Sequence, residues 1–162
     1  MSHTASSATA VIQLGQGYTW EQLHPGMRLR TFGRTVTEAD LVGFINVTGM
    51  LETLFIDTTW DGAMRGRPVP GALTYTLIEG LILQSMIQGT GLAMLELTQT
   101  IEAPVCVGDT VHGEIEVTAI RPTSRHNRAV VTSRIDVMNQ AGQRVMTYTA
   151  TRLLAGAAAT PA

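Results

Sequence analysis

Gly71-Ala-Leu-Thr-Tyr-Thr-Leu-Ile-Glu79-Gly-Leu-Ile-Leu-Gln-Ser-Met-Ile-Gln88 is the most apolar helix-like stretch of the chain. Leu73, Leu77 and Leu81 fall at i, i+4 and i+8, while Tyr75, Ile78, Ile82, Leu83 and Met86 cover other faces. A helix apolar nearly all round is one that other structure wraps. Between Arg67 and Glu96 the only charged side chain is Glu79, in the middle of this segment. Carboxylates are rarely buried unless paired, and burial raises a carboxyl pKa toward values useful in acid/base work. Glu79 is therefore either a structural carboxylate, with a buried partner or a gap to water, or a chemical group.

Outward from that helix the remaining pattern is mostly strand. After the Gly89-Thr-Gly91 break come four runs, Leu92 to Ala103, Thr110 to Arg121, Ala129 to Met138 and Gln143 to Leu153. Turns at Val107-Gly-Asp109, Pro122 to Arg128 and Asn139-Gln-Ala-Gly142 separate the later runs. Val111, Gly113, Ile115 and Val117 alternate with His112, Glu114, Glu116 and Thr118, giving one apolar face and one wet face. Upstream, Trp20-Glu-Gln-Leu-His-Pro-Gly26 reads as a turn and Met27 to Val36 as a strand with Arg28, Arg30 and Arg34 on one parity. Thr37-Glu-Ala-Asp40 starts a short helix, with a Thr cap and an acid three residues on, that runs to Gly49. Residues 50–69 form a long irregular connection of the kind that is usually functional. A helix of about 18 residues spans roughly 27 Å, close to the roughly 33 Å of a ten-residue strand. The expected architecture is α+β: an antiparallel sheet of about five strands wrapped around one long central helix.

Composition bounds the function. The 162 residues, 44% hydrophobic and 15% charged, suit one compact domain over 18–154, flanked by flexible tails at 1–17 and 155–162. A net charge of −2 argues against nucleic acid, whose phosphates need a basic surface. Every basic residue is Arg, so Schiff-base chemistry, pyridoxal anchoring and a phosphate-binding lysine are excluded. Cys106 stands alone between Val105 and Val107, and His3, His24, His112 and His126 lack metal-ligand spacing, so no metal is expected. The N-terminus has no basic or sustained apolar leader, and residues 69–95 are interrupted by Pro70, Glu79, Gln84 and several glycines. The expectation is a cytoplasmic protein that does not enter a membrane.

From Trp20 to about Leu154 the order of markers resembles the MaoC-like (R)-specific enoyl-CoA hydratases and dehydratases of the hot-dog fold. The markers are Val36-Thr-Glu-Ala-Asp40 entering a short helix, Thr48-Gly49 closing it and Asp57 seven residues before Met64. Pro68-Val-Pro-Gly71-Ala-Leu then opens the central helix, and Ala103-Pro-Val-Cys-Val-Gly-Asp-Thr-Val111 supplies a strand, turn and strand. The resemblance implies binding of an acyl-CoA thioester, with the CoA moiety as part of the substrate and no separate cofactor. It also implies a homodimer or dimer of dimers, with central helices side by side and sheets joined edge to edge.

The catalytic loop departs from that family. Its pattern, approximately S-G-D-x-N-P-x-H-x-D, falls on Thr48-Gly-Met-Leu-Glu-Thr-Leu-Phe-Ile-Asp57. Met50 occupies the Asp position and Phe55 the His position, and neither transfers protons. What the resemblance leaves is the Gly71 amide at the helix N-terminus, placed to polarise a thioester carbonyl. Glu52, in the same loop, is a candidate single acid/base or else a solvated partner of Arg65 or Arg67. Glu79, eight residues after Gly71, matches the carboxylate of hot-dog thioesterases resembling the PaaI type, although their preceding His and upstream Asn are missing. Arg125 and Arg128, with Arg121 and His126, are candidates for the CoA phosphates. Three readings stay open: a hydratase or dehydratase (a hydro-lyase), a thioesterase using Glu79, and a non-catalytic acyl-CoA-binding subunit.

Overall fold

The computed structural model describes residues 11–60, 62 and 66–157. In chain order the elements are β1 (Arg28–Arg30), β2 (Arg34–Thr35), α1 (Glu38–Thr48), α2 (Thr53–Ile56), α3 (Gly71–Ser85), β3 (Gly91–Ile101), β4 (Thr110–Pro122), β5 (Arg128–Met138) and β6 (Arg144–Ala155). A single 3-10 turn, Trp20–Gln22, precedes them. The strands form one antiparallel sheet in the order β1-β4-β5-β6-β3, with β2 also on β4, and α3 packs against it. No helix of the described residues is long and apolar enough to cross a membrane.

The alternation in the strands sorts side chains as the pleat requires. Val111, Ile115 and Val117 of β4, Val131, Ile135 and Val137 of β5, and Met146, Tyr148 and Ala150 of β6 are buried. From α3 the sheet receives Leu73, Leu77, Ile78, Leu81 and Ile82. A close approach is at Gly113, where an added Cβ would lie 3.0 Å from Ile78 Cγ2 and 3.5 Å from Ile135 Cγ2. A side chain here would force Ile78 to give by a few tenths of an ångström.

Three expectations are revised. The strand expected over Met27 to Val36 is broken into β1 and β2, giving six strands rather than about five. At the break Thr31 is joined to Gly113 twice, its amide donating to Gly113 O at 2.9 Å and its hydroxyl accepting the Gly113 amide at 2.9 Å. The central helix ends at Ser85 rather than near Gln88: the Met86 and Ile87 amides share the Ile82 carbonyl, which breaks the i−4 ladder, and Gly89 then turns the chain in the left-handed region at φ 74°. Its 15 residues give about 22 Å. Nor is it wrapped on every side: Thr76, Gly80, Leu83 and Gln84 form an exposed strip. A single curved sheet covers one side of a helix only, and β3 beyond that strip is exposed at every position, including Leu92, Met94, Leu95, Leu97 and Ile101.

The helix expected after Thr37 is capped as read: Thr37 Oγ1 accepts the Asp40 amide, Asp40 Oδ2 accepts the Thr37 amide at 2.9 Å, and Gly49 closes the helix at φ 72°. The proposed tails lie partly outside the described residues. Within them the Gly17 and Tyr18 amides donate to Gln88 O and Met86 O, β6 reaches Ala155, and Ala157 is held by Glu21 and Asn127.

Gly113→Ala is expected to destabilise by about 1–3 kcal/mol through overpacking against Ile78. Ile78→Leu, which removes the β-branch methyl at the contact, recovers part of that loss in the double variant. Denaturant midpoints of the four proteins in the cycle measure both effects.

Candidate functional site

Two cavities flank α3, one at each end. The first, of about 350 Å³, lies at its N-terminus and is lined by Leu54 and Phe55 of α2, Pro68, Val69, Gly71, Thr74, Ile101 to Val105, Val145 and Met146. Residues 67–69 are zipped onto 105–107, with the Val69 amide on Val105 O at 2.9 Å and the Val107 amide on Arg67 O at 2.8 Å. Arg67 carries a fork of bonds to Glu38 on α1, the shortest 2.8 Å, and donates to the Phe55 carbonyl at 2.5 Å. One guanidinium thus ties α1, α2 and the entry to α3 around the cavity mouth, and the pairing holds the Glu38 carboxyl below its usual range.

At the helix start Pro70 is the cap, without a side-chain bond to offer, and its carbonyl takes the Leu73 and Thr74 amides. Among the described residues nothing accepts the Gly71 or Ala72 amides. Those two donors, with the helix dipole behind them, are suited to a carbonyl oxygen carrying partial negative charge. A Cβ on Gly71 would fall 2.3 Å from Ile101 Cδ1, so the space over this turn exists because the residue is Gly.

The rest of the lining is mainly apolar. Thr74 is buried one turn into the helix. Glu102 stands at the rim and is held by Arg144 Nε at 2.8 and 2.9 Å and by Thr147 Oγ1 at 2.9 Å. Arg144 keeps its carboxyl below the ordinary range, so near neutral pH it is an acceptor and not a proton donor. Neither residue was singled out from the sequence, where a Thr in a helix and a Glu before Ala-Pro carry no signal. Met50 is exposed outside this lining, while Phe55 presents its ring to the cavity beside Gly71. Glu52 is exposed as the cap of α2, accepting the Thr53 amide at 3.1 Å, and is not part of the lining. Arg67, its expected partner, binds Glu38 instead, and Arg65 lies outside the described residues.

The second cavity, of about 340 Å³, opens between the far half of α3 and β3, lined by Tyr75, Glu79, Leu83, Ile87, Gly91 to Met94 and Arg152. Here the charge that stood out in the sequence finds two partners on β6. Glu79 Oε1 accepts from Tyr148 Oη at 2.8 Å and from Arg152 Nη2 at 2.5 Å. Both charged side chains are at least nine-tenths buried. Tyr75 meets Tyr148 edge to face, ring centroids 5.2 Å apart. Burial, then the Glu79 charge, push the Tyr148 hydroxyl far above its usual pKa, so it remains a donor.

Gly71 and Glu79 therefore sit at different cavities of the same helix, about 12 Å apart along its axis. Arg125 and Arg128 are exposed on the β4 to β5 hairpin, whose strands lead through Ala129 and Leu154 to Gly91. That is the end of the sheet away from Gly71.

Arg152→Met is expected to cost about 3–5 kcal/mol, because Glu79 is left buried without its charge partner, whereas Glu79→Leu/Arg152→Met together return most of that stability. Thermal denaturation of the set decides it. At high pH the sign follows from Tyr148: its folded pKa is raised, so its contribution is complete below the unfolded value of about 10 and declines as pH rises beyond it. Tyr148→Phe is expected to flatten the loss of stability above about pH 10 in denaturant titrations.

Residues 23–148, from the turn before β1 to Tyr148, match the family described as FAS1-like, dehydratase domain region. Comparison with curated proteins finds no match. Among solved structures, the MaoC-like dehydratase from Rhodospirillum rubrum is similar at a TM-score of 0.78 and 24% identity, over 88% of this chain and 100% of that one. The unliganded R-hydratase from Pseudomonas aeruginosa gives 0.69 and 24%, over 91% and 96%. A Mycobacterium tuberculosis protein with a double hot-dog fold gives 0.80 and 18%, over 93% of this chain and 48% of that one. At these identities the structures establish the fold, and the family match extends across α1, the first cavity, all of the second but Arg152, and most of the sheet. The chain belongs to the FAS1-like dehydratase domain family and has the hot-dog fold.

Proposed function

We propose that this chain binds an acyl-CoA thioester at the N-terminus of α3, with the thioester oxygen on the Gly71 and Ala72 amides and the acyl chain along the apolar lining. The observation that carries this reading is the unsatisfied Gly71 amide opening on an apolar cavity of about 350 Å³, with the unsatisfied Ala72 amide next to it in the chain. The site is atypical for a dehydratase, since Phe55 fills the place where the resemblance expects a proton-transferring His. With Glu102 neutralised by Arg144 and Glu52 outside the lining, hydration of an enoyl thioester proceeds slowly or not at all.

A second copy completes the reading. β3 is an edge strand of 11 residues, exposed throughout and rich in apolar side chains, and such edges are normally covered. Pairing β3 with its symmetry mate joins two sheets, sets the exposed strips of the two α3 helices side by side and roofs the groove between α3 and β3. Two-fold antiparallel pairing also brings the partner's hairpin end toward this chain's Gly71 end, where Arg125 and Arg128 would meet the CoA phosphates. The thioesterase reading needs the same assembly, because Glu79 and Gly71 of one chain lie too far apart to share a carbonyl. Hydrolysis that survives Glu79→Gln removes it.

Titration calorimetry with crotonyl-CoA and longer enoyl-CoAs, with the enoyl absorbance followed in parallel, tests the proposal. The expected result is saturable binding, with hydration about 10²–10⁴-fold slower than in a relative carrying both acid/base residues. Gly71→Ala, which displaces Ile101 into the cavity, weakens binding while leaving thermal stability near that of the parent. Glu52→Gln abolishes any residual hydration if Glu52 supplies the proton, and unchanged turnover removes it from the mechanism. Failure of every thioester to bind overturns the proposal.

A further inference from the structure

The second cavity has unused hydrogen-bonding capacity that packing alone does not require. Among the described residues, Glu79 Oε2 has no donor, Arg152 Nε and Nη1 have no acceptor, and the Tyr75 hydroxyl has no partner. None of these atoms is sealed in the core: the one fully buried side-chain polar atom without a partner is Thr90 Oγ1. They open instead on the cavity that Tyr75, Glu79 and Arg152 line together with Leu83, Ile87 and Met94. A charged pair held nine-tenths buried that still keeps accessible donor and acceptor sites on an otherwise apolar cavity offers those sites to a guest.

The chemistry of the guest follows from the charges. Glu79 and Arg152 neutralise each other, and no other charged residue lines this cavity. A ligand carboxylate would add an uncompensated negative charge in a largely apolar space and is disfavoured by desolvation. A hydroxyl fits, because it accepts from Arg152 or Tyr75 and donates to Glu79 Oε2 in one position. An all-hydrocarbon chain would leave each of these groups dry and unpaired.

We propose that the Tyr75, Glu79 and Arg152 cavity is a specificity subsite for a neutral oxygen substituent, a hydroxyl, on the distal part of the bound acyl chain. This rests on the acyl-thioester reading of the Gly71 site. Both cavities lie along α3, the first at its N-terminus and the second between its far half and β3. The first reaches Ile101 and Met146 at one end, and the second reaches Gly91, Met94 and Arg152 at the other. About 12 Å of helix axis separates Gly71 from Glu79, a span that an extended decanoyl chain covers.

The experiment is titration calorimetry on the full chain with three probes: decanoyl-CoA, its ω-hydroxy analogue and its ω-carboxy analogue. The expected order is ω-hydroxy tightest, by about tenfold over decanoyl, with ω-carboxy weakest. Tyr75→Phe, which removes one hydroxyl and leaves the ion pair intact, cuts the ω-hydroxy preference several-fold. Glu79→Leu/Arg152→Met, which removes both charges together, inverts it in favour of decanoyl-CoA. Equal binding of decanoyl and ω-hydroxy probes to the parent, a preference that survives the double substitution, or tightest binding of the ω-carboxy probe each overturns the subsite and leaves the thioester reading standing. If none of the three binds, both fall.

Discussion

One helix against one curved sheet is the constraint from which the rest of this protein follows. β4, β5 and β6 each present an inward row of mostly apolar side chains, interrupted by Ser133 on β5 and Arg152 on β6, and α3 is the only long helix available among the described residues to cover them. The contact is close at Gly113, and it buries Ile78, Leu81 and Ile82 almost completely. Because burial of apolar surface is the main favourable contribution to folding, the sheet must curve until its rows meet the helix. A sheet curved this way covers a single side, so a strip of α3 and the whole of β3 stay uncovered.

That geometry also decides where chemistry can happen. The two ends of α3 project past the densest part of the core, and a cavity forms at each. At the N-terminal end the backbone supplies the polar groups, two amides that the helix itself cannot satisfy, and the walls are made by loops that would splay apart without Arg67. At the other end side chains supply them: a carboxylate and a phenol from the helix and a guanidinium from β6. The first arrangement is suited to a carbonyl oxygen and the second to a neutral group that both donates and accepts.

The position of Glu79 shows how a buried charge is accommodated in a small α+β protein. It extends from the core side of α3, where Coulomb attraction is strong but desolvation is stronger, and it is tolerated because Arg152 and Tyr148 arrive on the same strand four residues apart. The edge-to-face contact of Tyr75 with Tyr148 then fixes the phenol that bonds the carboxylate. Helix and sheet are joined by this cluster in one register, since sliding either element by one residue would separate all three groups.

The later strands, the helix start and the capped α1 were legible because each depends on neighbours within a few residues: pleat alternation, a Pro-Gly opening, a Thr and Asp capping pair. The unusual carboxylate was legible too, because one charge in so apolar a segment stands out without any structure. Its partners were not. Arg152 and Tyr148 lie 73 and 69 residues away in the chain and meet Glu79 only because β6 runs beneath α3. The same holds for Arg67, whose bond to the Phe55 carbonyl crosses a loop with no periodic pattern, and for the break in the first strand, where the Thr31 hydroxyl meets the amide of the distant Gly113. Local periodicity therefore determined the elements and the family pattern they follow. The pairing of charges and the number and lining of the cavities were decided by tertiary packing, because they depend on contacts between segments that the sequence separates and only the folded sheet brings together.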